Sequence, residues 1–69
     1  MDLKEKLKEL RVQSDRTQEE TSRLLKVSTR AYSRWEKGVV TPRVKHLVRI
    51  QKLYKCKLSE LMDCIHLES

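Results

Sequence analysis

The sequence predicts an all-α fold, a single small domain over residues 1–69 made of five short helices. Three observations carry that expectation. Apolar residues recur at helical spacing in successive segments, beginning with Leu3, Leu7 and Leu10 at i, i+4 and i+7. Helix start and stop signals stand between those segments: Thr17 with Glu20 three residues on, then Ser28, then Gly38. The length, 69 residues, is enough for one such domain and too short for two.

The first helix is predicted over residues 2–13, with Asp2 and Glu5 near its positive end, where acidic side chains are favoured. Ser14, Asp15 and Arg16 form a polar link to the Thr17 cap. In the second helix Leu24 and Leu25, helped by the methyl of Thr21, supply the inward side. Lys26 and Val27 leave a turn only long enough to set two helices at a steep angle. Ser28 caps the third helix, and Gly38 suits the left-handed residue that stops it. Residues 17–38 therefore read as two short helices joined by a tight turn, the core around which the chain is organised.

The third helix has two distinct faces. At about 100° per residue with Arg30 at zero, Arg34 falls near 40°, Ser33 near −60° and Thr29 near −100°. Ala31, Trp35 and Tyr32 fall near 100°, 140° and 200°, on the opposite side. The helix docks by one side and presents the other. Trp35 and Tyr32 are the residue types of a base-stacking platform, but their place opposite the arginines makes them core residues.

Val39, Val40, Thr41 and Pro42 form the following loop, with Pro42 as a first-turn residue of the fourth helix. The two valines either tuck under that helix, which is the preferred reading, or form an exposed contact for a partner. The fourth helix runs from Arg43 to Tyr54, with Val44, Leu47, Val48, Ile50, Leu53 and Tyr54 as its apolar face and Lys45, Arg49 and Lys52 opposite. After a link of Lys55, Cys56 and Lys57, the residues Leu58, Leu61, Met62 and Ile65 make a short last helix, with Ser59 or the preceding backbone as its cap. Its apolar end, with Ile65 and Leu67, either closes the core or meets its copy in a two-fold dimer. The dimer is preferred, because a domain of this length buries only about 60% of its unfolded surface.

The formal charge of +6 is unevenly spread. Residues 1–25 hold six basic and six acidic side chains, residues 26–57 hold ten basic and only Glu36, and residues 58–69 hold three acids and no base. Charge alone makes a small protein soluble. Joined to a helix with an arginine face, it favours a nucleic-acid partner, with Lys37 and Arg43 flanking that helix as phosphate contacts.

The run TQEE, then VS at the turn, then SRWEKG, then Pro42, with a leucine-rich helix on either side, resembles the Cro/C1-type (XRE-like) helix-turn-helix family of phage repressors and bacterial regulators. The resemblance covers roughly Leu3 to Met62 and implies a lambda-repressor-like helix-turn-helix fold. It implies that the positions of Thr29, Arg30 and Arg34 read base edges of double-stranded DNA; Ser33 is a further candidate by its place on the same face and its hydroxyl. An arginine fork matches the two acceptors of guanine, and a hydroxyl can bond a base or sit against a thymine methyl. It also implies that Gln18 meets a backbone phosphate at a helix N-terminus and buttresses the third helix, with the Thr17 cap beside it as a further phosphate contact, and that Arg11 pairs with Glu36 as a structural salt bridge. The family usually has glycine in the link before Thr17 and again at Lys26, and leucine and alanine at Thr21 and Ser22. These departures predict strained backbone at the first two places and weaker packing at the last two.

The expected function is therefore a sequence-specific DNA-binding transcription regulator, acting as a homodimer through the C-terminal apolar segment. With no further domain in the sequence, occlusion of a promoter makes it a repressor. The rival reading is a protein-interaction module of the same fold, such as an antitoxin or antirepressor, using Val39, Val40 and the apolar tail. No enzyme, cofactor or metal is expected. No motif places a nucleophile beside a base, and His46, Cys56, Cys64 and His66 lack the close paired spacing of a zinc site. No run is apolar enough to span a bilayer or act as a signal peptide, which predicts a cytoplasmic protein.

Overall fold

The computed structural model describes residues 1–65, so that His66 and Leu67 lie outside the described part. Five helices follow one another: α1 (Leu3–Gln13), α2 (Gln18–Leu24), α3 (Thr29–Lys37), α4 (Val44–Tyr54) and α5 (Leu58–Met62). There is no strand among the described residues. The fold is all-α.

The caps explain most of the boundaries. Asp2 precedes α1 as its N-cap rather than beginning it, and its N–H donates to Glu5 Oε1 (3.4 Å). Thr17 Oγ1 accepts from the Glu20 N–H (3.0 Å) while Glu20 Oε1 accepts from the Thr17 N–H (2.9 Å), a reciprocal capping box. Ser28 Oγ accepts from the Ala31 N–H (3.0 Å) at the start of α3. Gly38 ends α3 at φ 76°, and the Val39 N–H then reaches back to the Arg34 carbonyl (3.0 Å).

The core is formed by Leu3 and Leu7 of α1, Leu25, Tyr32 and Trp35 of α3, Leu47 and Ile50 of α4, and Leu61 of α5. Leu10, Val27, Leu53, Tyr54, Leu58 and Ile65 pack against it, partly buried. α3 lies against both α1 and α2, and α4 against α5. The Leu3 N–H donates to the Cys64 carbonyl (3.1 Å), which ties the end of the described chain to its beginning. Arg49 Nη1 donates to the Leu25 carbonyl (3.2 Å), so one expected surface charge of α4 instead satisfies the end of α2.

Several expectations are corrected. Leu24 is 53% exposed. Neighbouring residues on a helix point about 100° apart, and Thr21, Ser22 and Leu25 together occupy the inward arc. Val39 is 68% exposed and Val40 is also exposed, so neither tucks under α4. The left-handed turn at Gly38 sends both outward, and the buried place in the loop goes to Pro42. Pro42 does not begin α4: Arg43 is the N-cap and α4 starts at Val44. Pro42 and Leu47 thereby hold the N′ and N4 positions of a hydrophobic staple, both buried. Val44, counted with the apolar face, is 60% exposed because it sits in the first turn, ahead of the core. α5 stops at Met62, which is exposed, and Ile65 follows beyond the helix. Lys57, not Ser59, is its N-cap, without a side-chain bond.

The missing glycines leave their mark where expected: Asp15 (φ 57°) and Lys26 (φ 60°) are left-handed. Lys55 (φ 54°), at the end of α4, is a third case that the sequence did not suggest.

Candidate nucleic-acid interface

α3 carries the face of interest because its other face is fully committed. Tyr32 and Trp35 point into the core, their rings edge to face with centroids 5.9 Å apart. The His46 ring of α4 also meets the indole, with centroids 5.1 Å apart and planes tilted by 50°. With that side anchored, Thr29, Arg30 and Arg34 are exposed and Ser33 is half-buried beside them. Among the described residues, neither Arg30 nor Arg34 has an ion-pair partner. Lys37, exposed, ends the same helix, and Arg43, exposed, caps α4 after the loop. Thr17, exposed, and Gln18, half-buried, open α2.

Glu36 fastens this helix to the rest of the domain. Its Oε2 accepts from Arg11 Nε (2.7 Å), and its Oε1 accepts from Arg11 Nη2 (3.1 Å) and from Gln18 Nε2 (3.1 Å). Arg11 Nη1 donates onward to the Arg16 carbonyl (3.0 Å). One fork thus joins α1, the link before α2, and α3. The pair is shielded, with side-chain exposures of 15% for Arg11 and 4% for Glu36. Burial pushes the Glu36 carboxyl up, but its hydrogen bonds and the Arg11 charge outweigh that and hold it below the ordinary carboxylate value. The same bonding raises Arg11. The Tyr32 phenol, buried and then opposed by the Glu36 carboxylate, is raised well above its usual value, although its hydroxyl lacks a hydrogen bond of good geometry. Because Glu36 is the lone acid of residues 26–57, its engagement inside leaves this basic segment without a competing exposed carboxylate.

Gln18 donates its amide N–H to Glu36 and so buttresses α3 from within, the role that the resemblance implies for it. One contact escaped the sequence. Thr29 Oγ1 lies 3.1 Å from the hydroxyl of buried Ser22. Serine and threonine seven residues apart across a turn leave no periodic signal, and only the α2–α3 crossing brings them together. His46 is held below its usual value by burial first and then by the charges of Lys45, Arg49 and Arg43. No group of three or more metal-ligating side chains occurs among the described residues. No helix among them is long and apolar enough to cross a membrane.

The helix-turn-helix family model matches residues 7–61, which contain the whole of α2, the turn, α3 and α4. The chain is similar to an HTH-type transcriptional activator, BcrR, of Enterococcus faecalis: 37% identical over 63 residues, 91% of this chain. It spans 31% of the length of that relative. No solved structure matches the chain. The matched span includes both helices of the motif, the Glu36 anchor and the arginine face, and the chain belongs to the Cro/C1-type helix-turn-helix family.

Proposed function

We propose that the protein is a sequence-specific, double-stranded DNA-binding transcription regulator that inserts α3 into the major groove. The observation that carries this is the pair Arg30 and Arg34, exposed and unpaired one turn apart on a helix whose opposite side is buried through Tyr32 and Trp35. Arg30 and Arg34 read guanine edges, with Thr29 and Ser33 beside them. Lys37 and Arg43, and Thr17 with Gln18 at the start of α2, hold phosphates and set the register. The site of action is the cytoplasm.

The most economical assembly is a homodimer on an inverted repeat, with half-sites about one helical turn apart. Exposed Met62 and half-buried Ile65 at the end of the described chain support contact through the C-terminal apolar segment. Sedimentation at micromolar concentration, with and without DNA, tests this; a monomer under both conditions removes it. Repression follows where the bound site overlaps a promoter. The Enterococcus faecalis relative bears the name of an activator, and a reporter with the selected site placed upstream or across a promoter separates the two signs.

A second reading is favoured by one observation. Val39, Val40 and Val44 are exposed close together in sequence on the loop and the start of α4, as in a protein-interaction module such as an antitoxin or antirepressor. Selection of bound duplexes from a randomised pool at near-physiological salt decides between them, because phosphate attraction alone mimics affinity at low salt. An enriched inverted repeat supports the DNA reader. Recovery of no enriched sequence removes it in favour of a protein partner.

A further inference from the structure

Thr29 is the one residue of the reading face whose hydroxyl is already engaged inside the protein. Its Oγ1 lies 3.1 Å from Ser22 Oγ, across the turn between α2 and α3. Ser22 is buried, and its hydroxyl donates to the Glu19 carbonyl at 2.8 Å. A serine hydroxyl has one proton and two lone pairs. With that proton on Glu19, the contact between the two hydroxyls forms only when Thr29 donates to Ser22. The opposite orientation gives up the Ser22–Glu19 bond, at a place where water does not replace it.

We infer that Ser22 polarises Thr29, so that the Thr29 hydroxyl faces the groove as an acceptor and selects a base that carries an amino group there. The inference rests on the DNA reading proposed above and names the class of base edge that Thr29 takes. In the major groove adenine offers its N6 amino group and cytosine its N4 amino group, whereas guanine and thymine offer only acceptors at their hydrogen-bonding edge. A hydroxyl whose proton is spent inside the protein bonds the first pair and has nothing to give the second. Donation to a phosphate oxygen breaks the same internal chain, so Thr29 is a base contact rather than a backbone one. Ser22 touches no DNA and is a positioning residue. A small apolar side chain fills its space equally well, so its hydroxyl is separable from packing.

The test is duplex selection with the wild type and with Thr29→Val, Thr29→Ser and Ser22→Ala, after thermal unfolding has verified that each variant is folded. Thr29→Val identifies the base pair that Thr29 reads, as the position whose preference it alters. There the wild type favours adenine or cytosine over guanine or thymine by roughly fivefold, the worth of one neutral hydrogen bond. Thr29→Ser keeps that preference. Ser22→Ala frees the Thr29 proton to serve guanine O6 or thymine O4, and the preference narrows to less than about twofold, while positions read by Arg30 and Arg34 are unchanged. A preference that survives Ser22→Ala, a wild type that favours guanine or thymine there, or a uniform loss in Thr29→Val with no position altered each overturns the inference and leaves the DNA reading standing. Absence of any enriched site for the wild type overturns both.

Discussion

Glu36 shows how one side chain serves the site without touching it. It draws in three donors from α1 and α2 and so sets the angle at which α3 leaves the domain. Removing one partner leaves the other charge shielded and uncompensated, so Arg11→Ala is expected to lower stability by about 3 kcal/mol in urea unfolding. Since the folded carboxyl is held below its ordinary value of 4.5, its contribution is fully present above that value and is lost as pH falls through the lower folded value. Stability measured below pH 4.5 therefore falls more steeply in the wild type than in Glu36→Gln. On the outer face the expectation reverses. Arg30→Ala and Arg34→Ala retain the unfolding midpoint within the range of surface changes, about 0.5 kcal/mol. Each loses about 1 to 3 kcal/mol of discrimination at one base pair, read by competition between duplexes.

At the scale of elements, the helices were legible because their signals are local. The leucine spacing of α1, the Thr17–Glu20 box, the Ser28 cap and the Gly38 stop all act within four residues, and all appear in the structure. The left-handed links at Asp15 and Lys26 were legible only through the resemblance, whose family usually has glycine in that first connection and at the second position. Lys26→Gly relieves about 1 to 2 kcal/mol of backbone strain, offset by about 0.5 to 1 kcal/mol of added freedom in the unfolded chain. A net gain of roughly 0.5 kcal/mol in unfolding free energy is expected. Gly38→Ala runs the other way: φ is 76°, and an added Cβ comes within 2.8 Å of Lys4 Cδ. The lysine stem is flexible and gives way, so the loss is that of the backbone, about 1 to 2 kcal/mol. Where two apolar neighbours compete for one inward direction, as Leu24 and Leu25 do, local pattern names the pair and not the winner.

For the whole molecule, charge and exposure divide the labour. Lys37 and Arg43 lie at the two ends of the loop after α3, and in the proposed reading they are phosphate contacts that supply affinity without sequence information. Lys37→Ala is expected to weaken all duplexes alike and to reduce the slope of log affinity against log salt by about 0.9, leaving the selected sequence unchanged. The valines test the other surface. Because Val44 is exposed, Val44→Lys alters stability by no more than about 0.5 kcal/mol. A large loss in thermal unfolding instead shows that Val44 is covered in the assembled protein.

By itself the sequence determined the helix order, the Thr17 and Ser28 caps, the Gly38 stop and the arginine face of α3, since each depends on residues a turn or two apart, and the concentration of positive charge, which is a matter of composition. The resemblance added the Arg11–Glu36 pair, which spans 25 positions and has no local signature. Only the tertiary structure decided which apolar residues are covered, why Pro42 rather than Val39 or Val40 takes the buried place in the loop, that Arg49 serves the end of α2, and that Ser22 and Thr29 share a hydrogen bond. The physical reason is the same throughout. Periodicity fixes the direction of a side chain about its own helix, whereas burial and partnership depend on what another helix places opposite it.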